Sequence, residues 1–135
     1  MTETLRLAHL SDPHLPGPLP RGAEWLGKRG LSAVNWMRRR RRLHRGAVAQ
    51  AVAADIAAHT PDMVAMTGDL VNFALTREFA AAGDWLARLG PPERVILIPG
   101  NHDALVRGWE GGLAALGAHG GGPGRPDWPS MRTVR

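Results

Sequence analysis

Residues 94–103 read Arg-Val-Ile-Leu-Ile-Pro-Gly-Asn-His-Asp, a compact apolar run cut off by proline and glycine and followed by an amide, an imidazole and a carboxylate. So short a run between turn residues, rich in β-branched side chains, predicts a buried strand over Arg94–Ile98. Upstream, Asp62–Thr67 (DMVAMT) is a second run of strand length, closed by Gly68. Leu5–Leu10 (LRLAHL) alternates apolar and polar residues and stops at Ser11-Asp12-Pro13, which predicts a further short strand. Two helical patterns fill the gaps. Residues 47–59 repeat Val48, Val52 and Ile56 every four positions, predicting one packed face, and Pro61 ends the segment. Thr76 begins a second helix with Phe79, Ala82, Leu86 and Leu89 at helical spacing, stopped by Gly90-Pro91-Pro92. The order βαβαβ predicts an α/β fold on a parallel sheet covered on both faces.

The outer segments differ in character. Residues 13–24 hold four prolines and two glycines and read as loop. Residues 21–46 form a basic insertion in which Gly27 and Gly30 are expected to separate short helical pieces. Residues 108–135 read as a tail without fixed structure, since positions 108–130 contain eight glycines and three prolines and little periodicity beyond Leu113 and Leu116. This divides the chain into a domain over 1–107 and a tail over 108–135.

The 135 residues suit one domain, and 44% hydrophobic residues exclude wholesale disorder. With no cysteine there is no disulfide and no thiolate site, so any metal must be held by His, Asp, Glu or Asn. The net charge of +5 comes from residues 1–46, where ten Arg and Lys face three acids; residues 47–107 carry four against seven. No stretch approaches the roughly 20 apolar residues of a membrane span and no leader pattern precedes residue 5, which predicts a soluble, cytoplasmic protein.

Three polar clusters fall in one structural place, directly after a predicted strand: Asp12-Pro13-His14, Gly68-Asp69 and Gly100-Asn101-His102-Asp103. Loops at the carboxyl ends of parallel strands converge, so these groups are expected to share one crevice. Residues two apart on an extended chain point the same way, so Asp12 and His14 can grip one ion, with Pro13 favouring an extended Asp12. Gly68 permits a sharp turn that lets the Asp69 carboxylate face two ions, and Gly100 lets Asn101 offer its amide oxygen while His102 points past it. Oxygen and imidazole donors without sulfur suit Mn²⁺, Fe, Zn²⁺, Mg²⁺ or Co²⁺. Asp103 is expected to cap the next turn of chain or to orient His102. His9 reads as a structural histidine, and His44 and His59 as exposed ones.

The order Asp-x-His, Gly-Asp, Gly-Asn-His-Asp resembles the calcineurin-like metallophosphoesterases over residues 5–103. The resemblance implies the βαβαβ half of an α/β sandwich and two divalent ions, with Asp12 and His14 on the first, Asp69 bridging both and Asn101 on the second. It implies that His102 protonates the leaving oxygen or stabilises the phosphate, in the hydrolysis of a phosphate mono- or diester. The family's later histidines, including a Gly-His-x-His motif, have no counterpart, since only His119 follows His102. That departure leads us to expect a truncated chain, and it keeps a second reading open: an inactive fragment serving as a basic module for anions or nucleic acid. The residues for such contact are Arg38, Arg39, Arg40, Arg41 and Arg42, although a solvated, phosphate-attracting helix face is the favoured account of them. No aromatic residues interleave the run as stacking platforms, which weighs against single-strand binding.

Overall fold

In the structure, a computed structural model, residues 4–40 and 46–120 are described. Three parallel strands, β1 (Leu7–Ser11), β2 (Met63–Thr67) and β3 (Val95–Ile98), form a sheet in the order β1-β2-β3. In register, Leu10 lies beside Met66 and Met66 beside Leu97. The helices are α1 (Lys28–Asn35), α2 (Gly46–His59), α3 (Thr76–Leu89) and the single turn α4 (Glu110–Leu113). The predicted strands and the two long helices are therefore present, each within about two residues of its expected bounds.

Among the described residues the sheet carries helices on one face, not two, although Met63 on the other face is buried. Each step from one strand to the next runs in the same direction across the sheet, and right-handed crossovers then place both connecting helices on the same side. On that side Val64, Met66, Val95 and Leu97 are buried with Phe79, Ala82, Trp85, Leu86 and Leu89 of α3. These α3 residues recur every three to four positions, as an inward helical stripe requires. On the opposite side Leu7, His9, Ser11 and Ile98 are exposed. His9 there bonds across the sheet through Nε2 to Thr67 Oγ1 at 2.7 Å, the structural part expected of it.

Of the predicted α2 face only Ile56 packs against the core, and the valines turn outward. Val48 is 57% exposed and Val52 is also exposed, whereas Ala49 and Ala53 are buried. The cause is Trp85, whose indole Nε1 donates to the Ala49 carbonyl at 3.1 Å. A ring reaching the helix backbone needs small residues beneath it, and alanine supplies them.

Gly30 lies inside α1 rather than breaking it. A Cβ at this position would overlap the Trp25 carbonyl, so glycine is needed here for close approach. Residues 110–120 also depart from the tail expected of them. α4 and the helical turns Ala114–Gly120 bury Leu113 and Leu116 against α3. Glycine makes this possible: a Cβ on Gly112 would strike the Phe79 ring. His119 Nε2 donates to the Gly90 carbonyl at 3.0 Å and fastens the turns to the end of α3. Residues 121–135 lie outside the described residues. Among the described residues no helix is long and apolar enough to cross a membrane.

Candidate metal and phosphate site

The loops that leave β1 and β2 are stitched together by their backbones. Asp12 N donates to Gly68 O at 3.2 Å, His14 N to Asp69 O at 3.1 Å and Leu15 N to Leu70 O at 3.0 Å. The strand pairing thus continues past the sheet edge and carries the polar residues with it. At the end of this ladder one donor atom each from Asp12, His14 and Asp69 lies within 4.8 Å of the others. His14 Nε2 is 3.7 Å from Asp69 Oδ2. His14 and Asp69 are buried and Asp12 is exposed, so the cluster opens to solvent on one side.

The backbone brings these groups together differently from the extended Asp-Pro-His expected. Asp12 (φ +51°), His14 (φ +41°) and Asp69 (φ +41°) all occupy the left-handed region. Non-glycine residues there cost of order 1–3 kcal/mol each and persist only where their surroundings over-determine them. The three cross-loop hydrogen bonds do so, overriding the extended preference that Pro13 imposes on Asp12.

The loop after β3 completes the cluster. His102 N donates to Asp69 Oδ1 at 2.8 Å, and the His14 and His102 rings meet edge to face with centroids 5.0 Å apart. Gly100 serves close approach, since a Cβ there would overlap the Asp69 backbone and carboxylate. Its role is to let the third loop lie on the second, not to form the turn expected. Asn101 is exposed on the same loop.

Asp103 holds the arrangement from below. Its carboxylate accepts from Gly100 N (2.9 Å), Leu70 N (3.1 Å) and Val71 N (2.9 Å), tying the β3 loop to the β2 loop. Burial pushes its carboxyl above the ordinary value, against the pull of those three N–H groups. The carbonyl of Asn72, 2.9 Å from His102 Nδ1, sets the orientation of the His102 ring. A carbonyl can only accept, so Nδ1 carries the proton.

Two supporting residues escaped the sequence reading. Asn72 is buried and its side-chain Nδ2 donates to Leu15 O at 2.8 Å, fixing the loop that carries His14. Glu78, also buried, accepts from Asn72 N, Phe73 N and Leu75 N. Its carboxyl too is raised by burial, against the same N–H donors. A lone asparagine inside the apolar stretch Leu70–Leu75 was the available signal for the first; Glu78 reads as an ordinary first-turn acid. Of the arginine run, Arg38 is exposed, whereas Arg41 and Arg42 lie outside the described residues.

A parallel α/β unit whose strand ends gather carboxylate and imidazole side chains defines a candidate metal site. More specifically, the chain belongs to the calcineurin-like phosphoesterase family, whose model matches residues 5–131. No curated protein and no solved structure matches it significantly. The fold corresponds to the βαβαβ half of that family's architecture. Two oxygen donors and one imidazole within 4.8 Å fit a borderline or hard divalent cation.

Proposed function

We propose that this chain hydrolyses a phosphate mono- or diester at a dinuclear centre. Asp12 and His14 would hold the first divalent ion, Asp69 would serve both, and Asn101 would join the second through its amide oxygen. The observation that carries this reading is the convergence of Asp12, His14 and Asp69 at the strand ends. Two such ions, whether Mn, Fe, Zn, Mg or Co, supply Lewis acidity to the phosphate and to an attacking water.

The protein's own contribution is positional and protic. Asp69 is held by the His102 N–H on Oδ1 and by the close approach of Gly100 to its backbone, which fixes the carboxylate beside Asp12 and His14. His102 keeps Nδ1–H directed at the Asn72 carbonyl, so Nε2 is the atom that, once the ring is the imidazolium, gives a proton to the leaving oxygen. Protonated on both nitrogens, the same ring also stabilises charge on the phosphate.

Hydrolysis of aryl phosphate mono- and diesters in the presence of Mn²⁺ tests this. Activity is expected to vanish with chelator and to fall at least roughly hundredfold in Asp69→Ala. His102→Ala should lower kcat while leaving Mn²⁺ affinity within about threefold. A chain that binds Mn²⁺ yet cleaves none of these esters overturns the proposal.

A further inference from the structure

Beside the site runs a cleft whose chemistry differs from the site's own. Its first part, of about 550 Å³, is lined by Leu31, Ser32, Val34, Asn35 and Leu105 together with Lys28 and Arg38. The second part, of about 760 Å³, shares Lys28 and Leu105 and adds Leu26, Val106, Trp109 and Arg107. Volumes of this order suit small-molecule ligands. Three cations line the two parts, and Glu110 is the one acid among the lining residues.

The cleft meets the candidate site through a shared hydrogen-bond acceptor. Ser32 Oγ on its α1 wall donates to the Asn72 carbonyl at 3.3 Å, the same carbonyl that receives His102 Nδ1. Leu105 on the other wall follows His102 by three residues. α1 is held in this place by Arg29, whose guanidinium donates to the carbonyls of Phe73 and Ala74 at 3.0 and 2.8 Å. The apolar side chains along α1 are not spent on the core. Leu31 on α1 is 74% exposed, as is Leu26 just before the helix at 78%, whereas α1 packs inward through Gly30 and Ala33.

We propose that this cleft receives the apolar chain of an amphiphilic phosphate ester, so that the substrate class of the site is an alkyl or acyl-chain phosphate rather than a compact polar one. The assignment rests on the phosphoesterase reading for the substrate's polar end. Apolar walls take the chain, while Lys28, Arg38 and Arg107 favour its anionic head by charge complementarity. A nucleoside phosphate is the competing occupant, since Trp109, Ser32 and Asn35 also line the two parts, and affinity that does not depend on alkyl chain length would favour it.

Calorimetric titration of the full chain with butyl, hexyl and decyl phosphate, each below its micellar concentration, tests the proposal. Each buried methylene favours binding, so affinity should rise at least roughly tenfold from butyl to decyl phosphate. Leu31→Asp should flatten that rise, and Lys28→Ala should weaken decyl phosphate more than decanol. Val48→Asp, at an exposed residue lining neither part of the cleft, should leave the rise intact. Affinity independent of chain length, or equal losses in Leu31→Asp and Val48→Asp, overturns the cleft. So does binding to phosphatidic acid vesicles with none to monomeric decyl phosphate, which would instead mark a bilayer-docking surface. The two readings fail separately. Chain-length dependence without turnover of any ester leaves the cleft standing and removes the phosphoesterase assignment; turnover without chain-length dependence does the reverse.

Discussion

On one face of the sheet Val64, Met66, Val95 and Leu97 lie beneath α2 and α3, whereas on the other Leu7 is 56% and Ile98 46% exposed. Both faces belong to the same three short strands, so propensity does not distinguish them. Crossover handedness does. Because β1, β2 and β3 follow one another without reversal, both helices arrive on one side, and the polar loops at the carboxyl edge are shaped by backbone bonds between neighbouring loops. The covered face supplies the stability, and the carboxyl edge uses it to hold three residues in left-handed conformations that would not persist alone.

If the covered face is the core, its removal should be the most damaging change. Phe79→Ala deletes a fully buried ring that contacts Gly112 and should cost about 3–5 kcal/mol, read from urea unfolding. Next comes the stitch between loops. Asp103→Ala leaves two buried N–H groups and one half-buried one without their carboxylate and should cost about 3 kcal/mol, with a parallel loss of Mn²⁺ affinity. On the bare face, Leu7→Ser and Ile98→Thr should each change stability by less than about 0.5 kcal/mol. Losses there as large as that of Phe79→Ala would show that the two faces are equally covered in solution.

The smallest effect concerns the insertion. Arg77 donates twice to Glu24, at 2.8 and 2.7 Å, and joins α3 to the turn Gly22–Trp25. This side-chain bond, with the Arg21 N–H, lowers the Glu24 carboxyl from 4.5 to about 2. A depressed carboxyl stabilises the fold above its unfolded value and loses that contribution as pH falls through the folded one. Hydrogen exchange over residues 21–26 should therefore stay slow down to about pH 3 and accelerate toward pH 2. In Arg77→Ala the acceleration should begin near pH 4.5, the ordinary carboxyl value.

Much of this architecture is legible in the residues. Arg94–Ile98 and Asp62–Thr67 announce strands because short apolar runs between breakers have few alternatives, and Phe79, Ala82, Leu86 and Leu89 mark a real inward stripe. The position of the polar clusters after strands follows from the same punctuation. Conformation within the clusters does not. Asp12-Pro13 argues locally for extended backbone, and only the hydrogen bond from Asp12 N to Gly68 O, formed across 56 residues, turns it left-handed. The packing of α2 on Ala49 rather than Val48 is hidden likewise, because it depends on where Trp85 reaches. Leu113 and Leu116 are visible, yet glycine-rich sequence argues against a helix until Phe79 offers a surface that only glycine can approach. Asp103 stands out in the motif but its partners do not, since its three donors lie on two loops distant in the chain.

The central claim is that Asp12, His14 and Asp69 form one cation site. Titration of the chelator-treated chain with Mn²⁺, followed by calorimetry and by electron paramagnetic resonance, tests it most directly. Saturable binding should be lost in Asp69→Ala and weakened at least roughly tenfold in His14→Ala, while Asp55→Ala, an exposed carboxylate on α2, leaves it unchanged. Equal binding by the native chain and by Asp69→Ala would contradict the account.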